Sequence, residues 1–105
     1  MIGNTIKTSE FALYQNFPNS FNPDTWIPYG LAEDVDVTIT IYSVSGELIR
    51  ILDLGHKPAG FYTTKSKADY WDGKNEAGEQ VSSGIYFCNI KAGEYTATRK
   101  MIARK

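Results

Sequence analysis

The residues able to do chemistry are few, and their spacing decides what they can do. His56, the only histidine, stands in the turn-like text "LGHKPAG". A catalytic imidazole needs a nucleophile or a carboxylate within hydrogen-bond reach. The surroundings of His56 in the chain name no such group, so a solvent-facing ring without a partner is expected. Cys88 is the only cysteine. It sits at an alternate position of "IYFCNI", outside any CxxC motif, which predicts a buried, inert thiol and excludes an intrachain disulfide.

Oxygen ligands are more plentiful. Glu33, Asp34 and Asp36 cluster in "LAEDVDV", the kind of carboxylate group that Ca²⁺ prefers at a strand end. The EF-hand spacing is absent, and adjacent acids ahead of an alternating strand also read as solvated surface. Asp72, Asn75, Glu76 and Glu79 in "WDGKNEAGE" pose the same choice. There the Asp-Gly pair is first of all turn chemistry, with Asp72 bonding backbone amides. Trp71 beside it is read as a core anchor rather than a sugar platform. Phosphate-cradling glycine loops, zinc spacings and the G-x-S-x-G elbow are all missing. The expectation is a non-catalytic protein with no cofactor.

The elements that must position these residues are set by bulk and pattern. The chain has 105 residues, 42% hydrophobic and 22% charged, enough for one globular core that needs no disulfide or structural metal. A formal net charge of −1 and a pI near 5.7 give no field that would favour nucleic acid or an anionic membrane. Only the tail is locally basic, with Arg99, Lys100, Arg104 and Lys105. No apolar run approaches the roughly 20 residues of a membrane helix, and "MIGNTIKTSE" lacks the regions of a signal peptide. Residues 1–9 read as a polar leader or the boundary of an excised segment, and 10–105 as a single domain that follows covalently linked N-terminal domains in a larger protein.

Helical periodicity is almost absent, while β-branched and aromatic residues abound. In "VDVTITIY" Val35, Val37, Ile39 and Ile41 share one face and Asp36, Thr38 and Thr40 the other, a strand with one wet side. "SVSGE" supplies a turn and "ELIRILDL" a return strand, so Val35 to Leu54 reads as a hairpin. A strand is expected from Phe61 to Lys65, a loop through "YWDGKNEAGEQVSSG", and a last hairpin from Gly84, with Tyr86, Cys88 and Ile90 on one face, through "KAGE" to "YTATRKMIA". Upstream, "FALYQNFPNSFNP" combines a short first strand with a Pro- and Asn-rich turn, and "TWIPYGL" forms the next strand, where Pro28 argues for an edge. About seven short strands predict an all-β, immunoglobulin-like antiparallel sandwich, with a small barrel as the alternative.

Three stretches then carry a resemblance: "LYQNFPNSFNPDTWIPYGLAEDVDVTITIYSVSGELIRIL", "PAGFYTTKSKADYWDGKNEAGEQVSSGIYF" and "TRKMIARK". Together they are similar to the C-terminal immunoglobulin-like domains of the type IX secretion sorting family, type A, which overlaps with the Ig-like domain of the flagellar hook-capping protein. Phe17 to Pro23 stands where that family has "YPNPFNP", with Phe17 and Ser20 as departures. Val37 to Ile49 matches its "VxLxIYDxxGRxV" strand, and Trp71 to Tyr86 its "WDGxDxxGxxVxSGxY" segment, with Lys74 and Asn75 replacing acids. The resemblance implies a secretion-sorting or surface-attachment module of an exported bacterial protein, delivered through the periplasm to the cell surface or beyond. The secretion machinery would be its partner, with no nucleic acid and no membrane insertion, and Gly84, Tyr86, Arg99, Lys100 and Lys105 would be the features recognised. The alternatives are a structural or adhesive spacer, binding calcium or a glycan, and a hook-cap scaffold.

Overall fold

The computed structural model describes residues 10–104. Their regular structure is all β: β1 (Ala12–Leu13), β2 (Thr25–Ile27), β3 (Tyr29–Leu31), β4 (Val35–Ser43), β5 (Leu48–Lys57), β6 (Gly60–Tyr62), β7 (Asp69–Trp71), β8 (Gly84–Ala92) and β9 (Tyr95–Ala103). One layer is a four-stranded sheet in the order β5-β4-β8-β9. Its strands follow from the alternating text. Val37, Ile39 and Ile41 of β4 are fully buried, as are Cys88 and Ile90 of β8 and Met101 of β9. Ile39 stands opposite Ile90, and Tyr86 opposite Met101. Each such large apolar side chain contributes about 1.5–3 kcal/mol by leaving water. Gly46, at φ +89°, turns β4 into β5, and a bulge at Leu54 shifts the register between Val37 and Thr38, next to Gly55 at φ +74°.

The second layer is broken into two short sheets, β1-β3-β6 and β2-β7. Pro28 causes the break. It lies between β2 and β3, buried, and lacks the N–H that would continue a ladder. Its carbonyl still accepts from the Tyr14 amide at 3.1 Å. Pro28 is therefore in the middle strand of the layer rather than on an edge, as the sequence suggested. The run from Phe61 ends at Tyr62 and not at Lys65, because Thr64 accepts from the amides of Lys67 and Ala68 and turns the chain. Tyr70 and Trp71, expected as the start of a loop, belong with Asp69 to strand β7, paired with β2. These short pieces raise the strand number from about seven to nine among the described residues.

The layers meet around Trp71. Its indole is fully buried, with the Phe21 ring centroid at 5.4 Å and that of Tyr86 at 6.3 Å, and Nε1 donates to the Lys74 carbonyl at 3.0 Å. Next to it Gly73 has φ +78°, and a Cβ there would lie 2.0 Å from the Pro23 carbonyl oxygen. Only glycine fits that approach. Asp72 Oδ1 accepts from the Lys74 amide at 3.0 Å and from Arg50 Nη1 at 3.1 Å, the turn role expected of it.

Two buried polar atoms lack hydrogen-bond partners, the Tyr29 hydroxyl and Asp69 Oδ2. Burial lifts the Asp69 carboxyl from its ordinary 3.8 to about 6, against the opposing pull of the Tyr70 amide, Lys57 and Arg50. Burial, and next the Asp69 charge, also raises Tyr29. Because the folded value of Asp69 lies above the unfolded one, the folded state binds more protons between pH 4 and 6, so this group's contribution to stability falls as pH rises through that window. Asp69→Asn is expected to remove the fall. Relative to the parent chain it should gain at most about 2–3 kcal/mol on going from pH 4 to pH 7, measured by urea denaturation at both pH values. A difference independent of pH would contradict this.

Candidate functional site

The features that the sequence marks for recognition lie on the β8–β9 hairpin and the tail after it. Lys105 lies outside the described residues; the others are placed as follows. Gly84 opens β8 at φ +152°, a backbone conformation that side-chain-bearing residues rarely adopt. Tyr86 is 6% exposed and packs on Trp71, with its hydroxyl donating to the Ser82 carbonyl at 2.7 Å. Arg99 is exposed on its β9 strand, yet its Nε donates to the Leu13 carbonyl at 2.9 Å, tying β9 to the other layer. Gly84, Tyr86 and Arg99 thus hold the fold. Lys100 alone among the four offers its side chain to solvent with no ion-pair partner among the described residues.

The backbone edge of β9 is not free, although an open edge would be the simplest handle for an added strand. Residues 15–21 run along its C-terminal half as a strap. Gln15 Nε2 donates to the Lys100 carbonyl at 2.8 Å, and the Ile102 amide donates to Asn19 Oδ1 at 3.0 Å. Phe21 donates its amide to the Ile102 carbonyl and accepts from the Arg104 amide, both at 2.9 Å. The strap is held by the Phe21 ring in the core and by buried Asn16, whose Nδ2 donates to Thr25 Oγ1 at 3.0 Å. The far edge of the same sheet is covered at the start of β5: Glu76 donates its amide to the Ile49 carbonyl at 3.0 Å, and its Oε2 accepts from the Ile51 amide at 2.6 Å.

What remains for a partner is side chains on the outer sheet face. Leu48, Tyr42, Phe87 and Lys100 are cross-strand neighbours in one row, and Ile85 faces Ile102 in the next. Tyr42, Leu48, Ile85 and Ile102 are 37–47% exposed. Sequence reasoning passed over this row. Its signal is that Ile85, Phe87 and Ile102 are apolar at the alternate positions that a wet sheet face would fill with polar groups.

The remaining candidates are dispersed. Asp34 Oδ1 accepts from the Ala59 amide at 2.8 Å, Asp36 Oδ1 meets His56 Nδ1 at 2.9 Å, and Glu33 is exposed. Among the described residues no group of three or more His, Cys, Asp or Glu could hold a metal ion. His56 does have a carboxylate partner, contrary to expectation, but the pair is a surface one, with side chains 67% and 86% exposed. Alternation across the β4–β5 register, which sets Asp36 opposite His56, puts them together. Cys88 is fully buried and burial pushes its thiol up to about 11, in keeping with an inert thiol.

If the strap closes the edge, Asn19→Ala should speed hydrogen exchange of the Ile102 amide about fivefold, the effect of losing one hydrogen bond worth about 1 kcal/mol. The Ile90 amide, on the interior strand β8, should keep its protection. Equal acceleration at both sites would mean global destabilisation and no local strap.

Comparison with known proteins bears on this arrangement. In fold the chain is similar to PorZ, described as an essential bacterial surface component of the type-IX secretion system of Porphyromonas gingivalis, with TM-score 0.60 and 14% identity over 89% of this chain and 11% of that one. It is similar to dimeric latent PorU from the same organism, with TM-score 0.58 and 19% identity over 98% of this chain and 10% of that one. A third likeness is to FlgD from P. aeruginosa, with TM-score 0.53 and 22% identity over 70% of this chain and 54% of that one. The chain therefore spans about a tenth of the first two proteins and about half of the third. No curated protein matches it in sequence. The family profile of the FlgD Ig-like domain matches residues 22–97, a range that begins just after the strap and holds Trp71, Gly73 and the whole of β8, and the chain belongs to the FlgD Ig-like domain family.

Proposed function

We propose that residues 10–105 form a non-catalytic module of a larger exported bacterial protein, and that secretion or surface-attachment machinery reads its last hairpin and tail. The observation that carries this reading is the division of labour on that hairpin. Parts of both backbone edges of the sheet are covered by the chain itself, while Lys100, Leu48 and Tyr42 stay exposed and Phe87 half-buried in one row beside them. A partner would therefore dock on side chains, with Lys100, Arg104 and Lys105 as its charged contacts. The fold likeness to segments making up about a tenth of PorZ and PorU supports a terminal or accessory module of a surface protein, reached through the periplasm. Apolar contact with a charged rim is the usual anatomy of a specific docking site.

A second reading, a scaffold domain for filament assembly, is favoured by the family match itself. The two differ in where the essential surface lies: a scaffold has no requirement for the terminal lysines. The experiment fuses residues 10–105 to a periplasmic reporter in a host with type IX machinery and assays surface delivery. Removing the tail from Arg99 is unsuitable, because Met101 and Ala103 are core residues at 0% and 8% exposure and the remnant would unfold. Lys100→Ala with Lys105→Ala is the informative variant. Its melting temperature should be unchanged, since exposed charges are worth little to stability, and its surface delivery should drop at least tenfold. Undiminished delivery would count against sorting and in favour of the scaffold.

A further inference from the structure

The outer face of the second layer carries a row of aromatic rings that neither the core nor the sorting reading uses. Trp26 stands between Thr25 and Ile27, both fully buried, so strand alternation turns its indole outward. On one side Trp26 pairs with Tyr70 of β7, and on the other it is bridged to Phe17. The three rings form one cross-strand row. Phe17 and Trp26 are 6.3 Å apart at 26°, and Trp26 and Tyr70 are 5.4 Å apart at 54°. Tyr70 is 48% exposed, and Phe17 and Trp26 are half-buried. An exposed tyrosine beside a tryptophan that is only half-buried forgoes part of the burial that such rings ordinarily supply. Contiguous exposed apolar surface of this kind marks binding.

The rim of the row says what it fits. The Tyr70 hydroxyl donates to Asp24 Oδ2 at 2.7 Å, so a carboxylate stands at one end. Lys65 Nζ lies 4.4 Å from the Trp26 ring centroid, so an ammonium stands over the middle of the row. An acidic ligand would meet Asp24 and a basic one would meet Lys65. A neutral ligand with one apolar face and hydroxyls at its edge satisfies both. We infer that the Phe17–Trp26–Tyr70 row is a stacking site for neutral saccharides, with pyranose C–H faces on Trp26 and Tyr70 and ring hydroxyls bonded to the Asp24 carboxylate and the Lys65 ammonium. The inference stands apart from the sorting reading: this row lies in the other layer, and its failure would leave the Lys100 face untouched.

The chain's two tryptophans give the test an internal reference. Trp71 is buried and its Nε1 donates to Lys74, so its indole signal in a ¹H–¹⁵N spectrum should stay fixed while that of Trp26 reports on the row. Cellohexaose, maltohexaose and N-acetylchitohexaose are titrated separately to about 10 mM, enough to load a site with a Kd near 1 mM. A saturable shift of the Trp26 indole with at least one of them is expected, with Trp71 unmoved and the affinity at least tenfold weaker in Tyr70→Ala, a change at an exposed position. The assignment is overturned if none of the three sugars moves Trp26, or if Tyr70→Ala binds as the parent does. A lysine-rich peptide that moves Trp26 when no sugar does would give the row to a cationic partner and equally overturn it.

Discussion

Burial of the Trp71 indole is the constraint on which the rest of this fold depends. A single ring gathers three segments far apart in the chain: Phe21 from the strap, the Asp72–Gly73 turn that follows it directly, and Tyr86 from the strand that opens the last hairpin. Each segment is short of partners by itself. Two-residue strands such as β1 are marginal in isolation, and the 72–80 loop is mostly exposed. Tied to Trp71 they become one body. The tightness has a backbone signature in Gly73, which lies so close to the Pro23 carbonyl that no side chain is admitted.

The same gathering shapes the functional surface. Phe21, once anchored against Trp71, brings residues 15–21 along β9 and closes the edge that a short antiparallel sheet would otherwise expose. Glu76, carried by the turn after Trp71, covers the start of β5 at Ile49 and Ile51. Edge closure is what keeps a sandwich of this size from pairing with copies of itself. Two outward faces are then available: the Lys100 row on the four-stranded sheet, and the Trp26 row on the broken one. They lie on opposite layers, so a partner at one and a ligand at the other do not compete for the same residues.

Much of this was legible in the sequence, and the limits are physical. Strict alternation in Val35–Tyr42 placed β4 and its buried face, and Gly46 placed the hairpin, because both signals are local. The role of Trp71 as core anchor and of Asp72 as a turn residue was legible for the same reason. Pro28 misled, since its missing N–H excludes a continuous ladder but leaves open whether the break falls at an edge or inside a layer. Strand β7 was invisible because three residues cannot show a period, and its pairing with β2 is fixed by tertiary packing. The closed edge of β9 depends on contacts more than 80 residues apart. The contact between His56 and Asp36 depends on cross-strand register across a bulge, which no single segment encodes. The family resemblance marked Arg99 as a recognition feature; that its Nε also donates to the Leu13 carbonyl is a contact 86 residues apart in sequence that no local pattern encodes.

The central claim, that Trp71 couples the strap to the final hairpin, is tested most directly by a double-mutant cycle between Phe21→Leu and Trp71→Phe, read by chemical denaturation. If the two rings act as one unit, the double variant should depart from the sum of the single variants by about 1 kcal/mol or more. Additivity within about 0.3 kcal/mol would contradict the account and leave the strap as an independent surface loop.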